Sequence, residues 1–188
     1  MYSSQNTLQT VWQSPLTVFT ANQLAIMLRQ TNDTNFRSRM NYYVRKGYLK
    51  NPRRGIYAKP DYRIEELACL LYTPCYLSLE YVLQRAGVVF QYDSALTLMS
   101  YLNREIEVDG HTIRYRQLNG KILCQTDGIT NNGNLNIASA ERAFLDIMYL
   151  NTHYYFDNLH ALNRREVMRL LPMYENNALT ERVTNLLK

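Results

Sequence analysis

The spacing of apolar side chains in the first third of the chain predicts a series of short helices. Residues 8–14 have a weak helical pattern that Pro15 ends, and residues 16–19 form a short extended stretch. Thr20 and Gln23 have the spacing of a capping box, in which two side chains satisfy free backbone N–H groups at the start of a helix. A second helix is therefore expected to begin there.

A third helix is predicted after the polar turn at residues 30–33, which supplies turn and N-cap residues. Four apolar residues recur at helical spacing and form its buried stripe: Phe36, Met40, Tyr43 and Val44. Gly47 follows at the position where a glycine commonly ends a helix. The polar side chains between these residues therefore lie on the opposite, exposed face.

A hairpin is predicted next, with two short strands at residues 48–51 and 56–59 around a Pro-Arg-Arg-Gly turn. Helix, turn, helix and hairpin in this order are typical of a winged helix-turn-helix. The charge changes sign near Pro60, which also interrupts strand pairing. We therefore expect a winged helix-turn-helix domain at residues 1–60 and a second domain at residues 61–188.

The second domain combines helical and strand patterns. Helical patterns cover residues 64–72 and 78–85, and residues 95–118 alternate as strands around the Asp109-Gly110 turn. Residues 120–136 are rich in turn residues, Ser139 is expected to cap a helix that runs to residue 150, and residues 163–187 form two helical pieces broken around Pro172. The predicted fold class is α+β, with a mixed C-terminal domain that ends in helices.

Positive charge is concentrated in one segment. The chain has 188 residues and a net charge of +5, but residues 34–60 hold eight Lys or Arg and no Asp or Glu. The remaining residues carry 13 basic and 16 acidic side chains, a net charge of −3. Because like charges on one small surface repel unless a polyanion offsets them, this segment predicts nucleic-acid binding.

The third helix has the side chains that contact base edges in the major groove, where Asn fits adenine and Arg fits guanine through paired hydrogen bonds. We expect Asn35, Arg37, Ser38 and Asn41 to make base or near-base contacts, and Arg45 and Lys46 to contact phosphate. Tyr42 is expected to do either. At the hairpin tip, Arg53 and Arg54 are expected to reach phosphate or a narrow minor groove.

Several classes of site are not expected. The cysteines at 69, 75 and 124 lack CxxC spacing, which argues against a disulfide framework or a zinc site and favours reduced, cytoplasmic thiols. The N-terminus lacks the pattern of a signal peptide, and no long uncharged apolar run predicts a membrane span. His111, His153 and His160 lack the spacing of a metal pair, and no glycine-rich phosphate loop is present, so no cofactor is expected.

Three acidic residues could suggest catalysis, because carboxylates brought together act as acids and bases. A structural role is favoured instead. Glu80 and Glu141 each fall in the first turn of a predicted helix, where the helix dipole favours negative charge, and Asp146 is four residues from Arg142. The chain is therefore not expected to be an enzyme.

Three motifs carry a resemblance to a known family. They are Arg54-Gly55-Ile56-Tyr57 in the hairpin, Tyr76-Leu77-Ser78-Leu79-Glu80 followed by Val82, Leu83 and Gly87, and the segment from Ile137 to Asp146. In order and spacing they resemble the AbiEi family of abortive-infection antitoxins over residues 19–150. Ala140 stands where that family usually has proline, Arg142 replaces its lysine, and Tyr81 replaces a small residue.

The resemblance implies a transcriptional repressor of a type IV toxin-antitoxin system. In such a protein the N-terminal winged helix binds the operator, as double-stranded DNA, and represses its own operon. The C-terminal domain counters a cognate nucleotidyltransferase toxin. The segment after residue 150 lies outside the resemblance.

Two other classes of function remain open. The first is a protein-interaction module without specific DNA binding, in which a tyrosine-rich second domain forms the main interface; the chain has 16 tyrosines. The second is an enzyme whose site is assembled from dispersed carboxylates. Substitution of Arg37, Asn41, Arg53 and Arg54 distinguishes DNA binding from the first alternative, because DNA binding should be lost and binding to a protein partner should survive.

Overall fold

A computed structural model describes residues 4–188 of the chain, with side chains described from residue 7 onward. The chain divides into two compact units between Leu70 and Leu71. This division lies ten residues beyond the boundary predicted at residue 60. The residues after position 60 join the first unit because the buried carboxylate of Glu66 accepts hydrogen bonds from the backbone N–H groups of Thr17 at 2.7 Å and Val18 at 3.1 Å.

The first unit contains four helices and a small antiparallel sheet within the described residues. Its elements in chain order are α1 (Ser4–Gln13), β1 (Val18–Thr20), α2 (Ala21–Met27), α3 (Thr34–Arg45), β2 (Lys50–Arg53), β3 (Ile56–Ala58) and α4 (Ile64–Leu71). The strand order is β1-β3-β2. Every helix predicted for residues 8–45 is present, and the hairpin strands begin and end within two residues of the predicted positions.

Side-chain caps fix where the helices begin. The capping box at α2 is complete, because the Gln23 N–H donates to the Thr20 hydroxyl at 3.1 Å and the Thr20 N–H donates to the Gln23 side chain at 2.7 Å. Asp33 caps α3 by accepting from the Phe36 N–H at 2.8 Å. Gly47 follows α3 with a φ of +75°, a conformation that glycine adopts without steric cost.

The core of the first unit is formed by one face each of α1, α2 and α3, together with residues of the small sheet. Phe36, Met40 and Tyr43 of α3 are buried as predicted, while Val44 is only partly buried at the edge of the same cluster. The remaining buried members come from the other elements: Val11, Phe19, Leu24, Ala25, Leu28, Leu49 and Tyr57. Burial of this face turns the polar face of α3 toward solvent.

The second unit contains a six-stranded mixed sheet. Its strands are β4 (Cys75–Leu77), β5 (Leu96–Ser100), β6 (Arg104–Val108), β7 (His111–Gln117), β8 (Ile129–Asn132) and β9 (Leu135–Ala138), in the order β6-β7-β5-β4-β9-β8. The β5–β7 and β4–β9 pairs are parallel and the other three are antiparallel. The α+β fold class is therefore confirmed.

Helices accompany this sheet. They are α5 (Leu79–Arg85), α6 (Gly120–Leu123), α7 (Ala140–Leu150), α8 (Arg164–Leu170) and α9 (Asn177–Leu186), with 3-10 turns at Leu159–Ala161 and Leu171–Tyr174. Ser139 caps α7 as predicted, and the terminal helices are interrupted at Pro172 as predicted. In the part of the chain that the structure describes, no helix has the length and apolar character needed to cross a membrane.

Four elements of the second unit were not predicted. Strand β8 and the first half of β9 lie in residues 120–136, for which the sequence predicts turns, because asparagine and glycine are depleted in strands. Strand β4 has only three residues, and it pairs in parallel with β9 through Leu77 and Ile137, sixty positions apart. Helix α6 has four residues, too few for a periodic pattern to show.

The predicted Arg142–Asp146 pair is confirmed, and it is completely buried. Arg142 Nε lies 3.5 Å from Asp146 Oδ1, and both side chains have no solvent exposure. Asp146 also accepts hydrogen bonds from the hydroxyl groups of Ser78 at 2.7 Å, Tyr174 at 2.7 Å and Tyr76 at 3.0 Å. Burial raises the pKa of Asp146, and the Arg142 charge and these hydroxyl donors act in the opposite direction.

Arg142 joins this pair to the surrounding backbone. Its guanidinium donates to the carbonyl groups of Asp127 at 3.0 Å and Ile122 at 2.9 Å, and to the Tyr76 hydroxyl at 3.0 Å. Among the residues that the structure describes, Arg142 Nε makes no hydrogen bond and faces Asp146 only as an ion pair. Because a buried charge is costly without fixed partners, the bonds from the terminal nitrogens hold α6, α7 and β4 in one arrangement.

Replacing Asp146 by Ala is expected to lower the free energy of unfolding by about 3–5 kcal/mol, because it leaves the buried Arg142 charge without its partner. Urea denaturation followed by circular dichroism measures this change. The control is Asp127→Ala, which removes an exposed ion pair with Arg169 and should barely move the midpoint. Equal effects of the two substitutions would contradict the assigned role of the buried pair.

Candidate nucleic-acid interface

The predicted DNA-contacting residues form one exposed surface of the first unit. Helix α3 contributes the residues from Asn35 to Arg45, Lys46 follows it, and the β2–β3 hairpin contributes Arg53 and Arg54. All nine predicted side chains are exposed: Asn35, Arg37, Ser38, Asn41, Tyr42, Arg45, Lys46, Arg53 and Arg54. The helical periodicity explains this, because Phe36, Met40 and Tyr43 occupy the buried face.

A concave site lies between α3 and the hairpin. It has a volume of about 520 Å³, and Arg37 and Asn41 of α3 face Arg54 of the hairpin across it. The remaining lining residues are Thr20, Ala21, Asn22, Asn32, Asn51, Gly55 and Tyr57. Three of the nine predicted residues thus line one cavity, and none of its lining residues is acidic.

A chain of asparagine side chains positions Arg37. The Asn32 side-chain oxygen accepts from Arg37 Nε at 2.9 Å, and the Asn32 amide nitrogen donates to the Asn22 side-chain oxygen at 2.6 Å. This arrangement uses only the Nε group of the guanidinium. The N–H groups on the two terminal nitrogens of Arg37 can therefore donate hydrogen bonds to a ligand in the cavity.

The tip of the hairpin is shaped by Asn51 and Gly55. The Asn51 side-chain amide donates to the carbonyl groups of Arg53 at 2.9 Å and Ile56 at 2.6 Å, which bridges the two strands. Gly55 has a φ of +81°, which other residues adopt only with strain. Arg54 is therefore presented on a short turn of fixed shape.

The other predicted residues lie outside the cavity. Asn35, Ser38, Arg45 and Arg53 are exposed but do not line it, and the Lys46 ammonium lies 5.8 Å from the centre of the Tyr42 ring. The basic residues on α3 are not all equivalent. Arg39 is half-buried and donates to the Gln30 side chain.

The charged side chains of this surface are positive. Within the described residues, no carboxylate forms an ion pair with Arg37, Arg45, Lys46 or Arg54. The acidic residue nearest in sequence to α3 is Asp33, and hydrogen bonds from the Phe36 N–H and the Thr31 hydroxyl lower the pKa of its carboxyl group. Asp33 is thus engaged as the cap of the helix.

Tyr57 forms part of the cavity wall. Its side chain is buried, and burial raises the pKa of its hydroxyl group while the Arg37 charge opposes the shift. The phenol is therefore neutral at neutral pH and presents a hydrogen-bond donor. It belongs to the Arg-Gly-Ile-Tyr motif of the hairpin.

Asn22, Asn32, Asn51 and Tyr57 are site residues that the sequence analysis did not identify. The sequence predicts Asn32 only as part of a turn, Asn51 only as a strand residue, and Tyr57 only as a strand residue and a member of the hairpin motif. Their positions depend on how α2, α3 and the hairpin pack together. No periodicity or motif spacing encodes that arrangement.

The other candidate site residues do not line this cavity. The three histidines, at 111, 153 and 160, are exposed, and the Glu141 carboxylate accepts from the Asn163 N–H at 3.0 Å. Among the described residues, no group of three or more His, Cys, Asp or Glu is arranged to hold a metal ion. Cys69 and Cys75 are buried thiols, and Cys124 is exposed.

Replacing Gly55 by Ala is expected to destabilise the first unit by about 1–2 kcal/mol, because an L-residue at a φ of +81° is strained. No atom lies within 4 Å of the added carbon, so the effect comes from the backbone alone. Thermal unfolding measures it. Gly120→Ala is the matched control, because that site is equally open and begins a helix, where Ala is preferred. A neutral Gly55→Ala would contradict the assigned turn.

A scan of the chain against protein-family models finds no match, and no curated protein matches its sequence. The resemblance to the AbiEi family therefore stays a prediction.

Proposed function

We propose that the first unit binds double-stranded DNA as a winged helix-turn-helix and that the chain is a transcriptional repressor of its own operon. In this proposal α3 enters the major groove and the β2–β3 hairpin contacts the adjoining backbone or minor groove. The observation that supports it is the concave site where Arg37, Asn41 and Arg54 meet without a carboxylate.

The dimensions and chemistry of α3 suit this role. A helix of 12 residues is about 18 Å long, and an α-helix fits the major groove of B-DNA. Asn32 holds Arg37 through Nε, which leaves the terminal nitrogens for the paired hydrogen bonds that recognise guanine. Asn41 lies one turn further along the same face and has the chemistry that recognises adenine.

The regulatory context follows from the resemblance to the AbiEi family. It implies that the repressor is also the antitoxin of a type IV toxin-antitoxin system and that its second unit counters a nucleotidyltransferase toxin. The antitoxin role, the toxin partner and the absence of enzyme activity stay predictions. An adjacent reading frame that encodes a nucleotidyltransferase would support the first two.

Changing Arg37, Arg53 and Arg54 together to Ala is expected to reduce affinity for the DNA upstream of the gene by roughly 100-fold or more, because base and phosphate contacts are lost together. Fluorescence anisotropy at two salt concentrations measures the loss. The dependence of affinity on salt should also become shallower, because fewer counterions are released.

The matched control changes three exposed arginines of the second unit, Arg116, Arg164 and Arg165, to Ala. Both variants lower the net charge by three, so the control should retain most of the affinity if position matters more than total charge. Equal losses in the two variants, or no preference of the wild type for upstream over random DNA, would overturn the proposal and favour a protein-interaction role for the first unit.

Replacing Asn32 by Ala is expected to reduce discrimination between upstream and random DNA by roughly tenfold, because Arg37 loses the partner that orients it. Affinity for random DNA should change little, because no charge is removed. Competition binding with the two DNA sequences gives the ratio. The control is Asn185→Ala, which removes an exposed asparagine of α9 in the second unit and should leave the ratio unchanged.

A further inference from the structure

Two loops of the second unit are joined into one fixed surface. The loop after α5 and the loop after α7 meet where the Val88 carbonyl accepts from the N–H groups of Asp157 and Asn158, both at 3.0 Å. In return, the Phe90 N–H donates to the Asp157 carboxylate at 2.8 Å. These reciprocal hydrogen bonds hold the loops together without a ligand.

Three aromatic rings project from these loops into solvent. Phe90 is 68 % exposed, Tyr92 is 86 % exposed and Tyr155 is 79 % exposed. Single exposed apolar side chains are ordinary, but several large rings on joined loops are typical of interaction sites. Because the loops are already fixed, a partner that covers these rings does not have to order the backbone first.

The surface is anchored to the core beneath it. The Tyr154 and Phe156 rings lie 4.9 Å apart, and Phe156 lies 4.9 Å from Phe144 of α7. Tyr155 is thus flanked in sequence by two members of a packed aromatic stack, which anchors its loop to α7.

Three carboxylates lie near this aromatic stack. Burial, together with the negative charges of Glu80, Asp157 and Asp93, raises the pKa of Tyr154 to about 12. Asp93 is paired with Arg114 at 3.0 Å, but within the described part of the chain Glu80 and Asp157 have no ion pair. The nearby Arg85 packs its guanidinium 3.5 Å from the centre of the Tyr81 ring.

We propose that the aromatic platform, formed by Phe90, Tyr92 and Tyr155 beside Glu80 and Asp157, binds an arginine-bearing segment of a partner protein. Charge complementarity identifies the occupant, because unpaired carboxylates attract cations and repel both nucleic-acid phosphate and anionic lipid. Exposed rings favour arginine over lysine, because a planar guanidinium stacks on an aromatic face. This inference does not depend on DNA binding by the first unit.

The test uses the full chain and two fluorescent peptides of equal charge, one alternating arginine with serine and the other alternating lysine with serine. The wild type should bind the arginine peptide several-fold more tightly than the lysine peptide. The double variant Tyr92→Ala and Tyr155→Ala should bind the arginine peptide roughly tenfold more weakly and lose this preference.

Two control variants separate the contributions. Tyr101→Ala removes an exposed ring at the opposite end of β5 from Tyr92 and should leave both affinities unchanged. The pair Glu80→Gln and Asp157→Asn should weaken both peptides alike, because it removes charge and keeps the rings. Equal affinity of the wild type for the two peptides, or an arginine preference that survives in the ring variant, would overturn the proposal. Thermal unfolding checks that each variant is folded.

Discussion

Burial of one face of α3 is the constraint on which the first unit depends. Phe36, Met40 and Tyr43 fill the space between the helices and the small sheet, and they fix how α3 is rotated about its axis. Because residues three and four apart share a face, the same rotation turns Arg37 and Asn41 outward. The surface proposed for DNA is therefore a direct consequence of packing.

The second unit depends on a different interaction. Its centre holds the buried Arg142–Asp146 pair, with hydroxyl groups from β4, the start of α5 and the turn after α8 around the carboxylate. Such a network is costly to bury and specifies one arrangement when every partner is present. The loops that carry the aromatic platform extend from α5 and α7, the helices next to this network.

The sequence predicts the local features of the fold well. The capping box at Thr20, the cap at Asp33 and the apolar stripe of α3 are encoded within a few residues of each other, and all are present in the structure. Strand β9 could not be predicted in the same way, because its sequence is poor in strand-forming residues. It is a strand because it pairs on both sides, antiparallel with β8 across a short turn and in parallel with β4, about sixty residues earlier.

In the candidate site, too, some features are encoded locally in the sequence and others depend on how the elements pack. Helical periodicity was enough to predict that Arg37 and Asn41 are exposed on α3, since one helix determines both. It could not predict that Asn32 holds Arg37 or that Asn51 bridges the hairpin, because those contacts depend on the angle between elements. The aromatic platform was also not predicted, although tyrosine richness had suggested an interface in the second domain.

The most direct test of the central claim is to map contacts on the full chain by backbone amide NMR during titration with a duplex from the upstream region. DNA binding by the first unit predicts chemical-shift changes concentrated in α3 and at the hairpin tip around Gly55, with the amides of the second unit largely unchanged. Shifts confined to the second unit, or none at a saturating duplex concentration, would contradict the account.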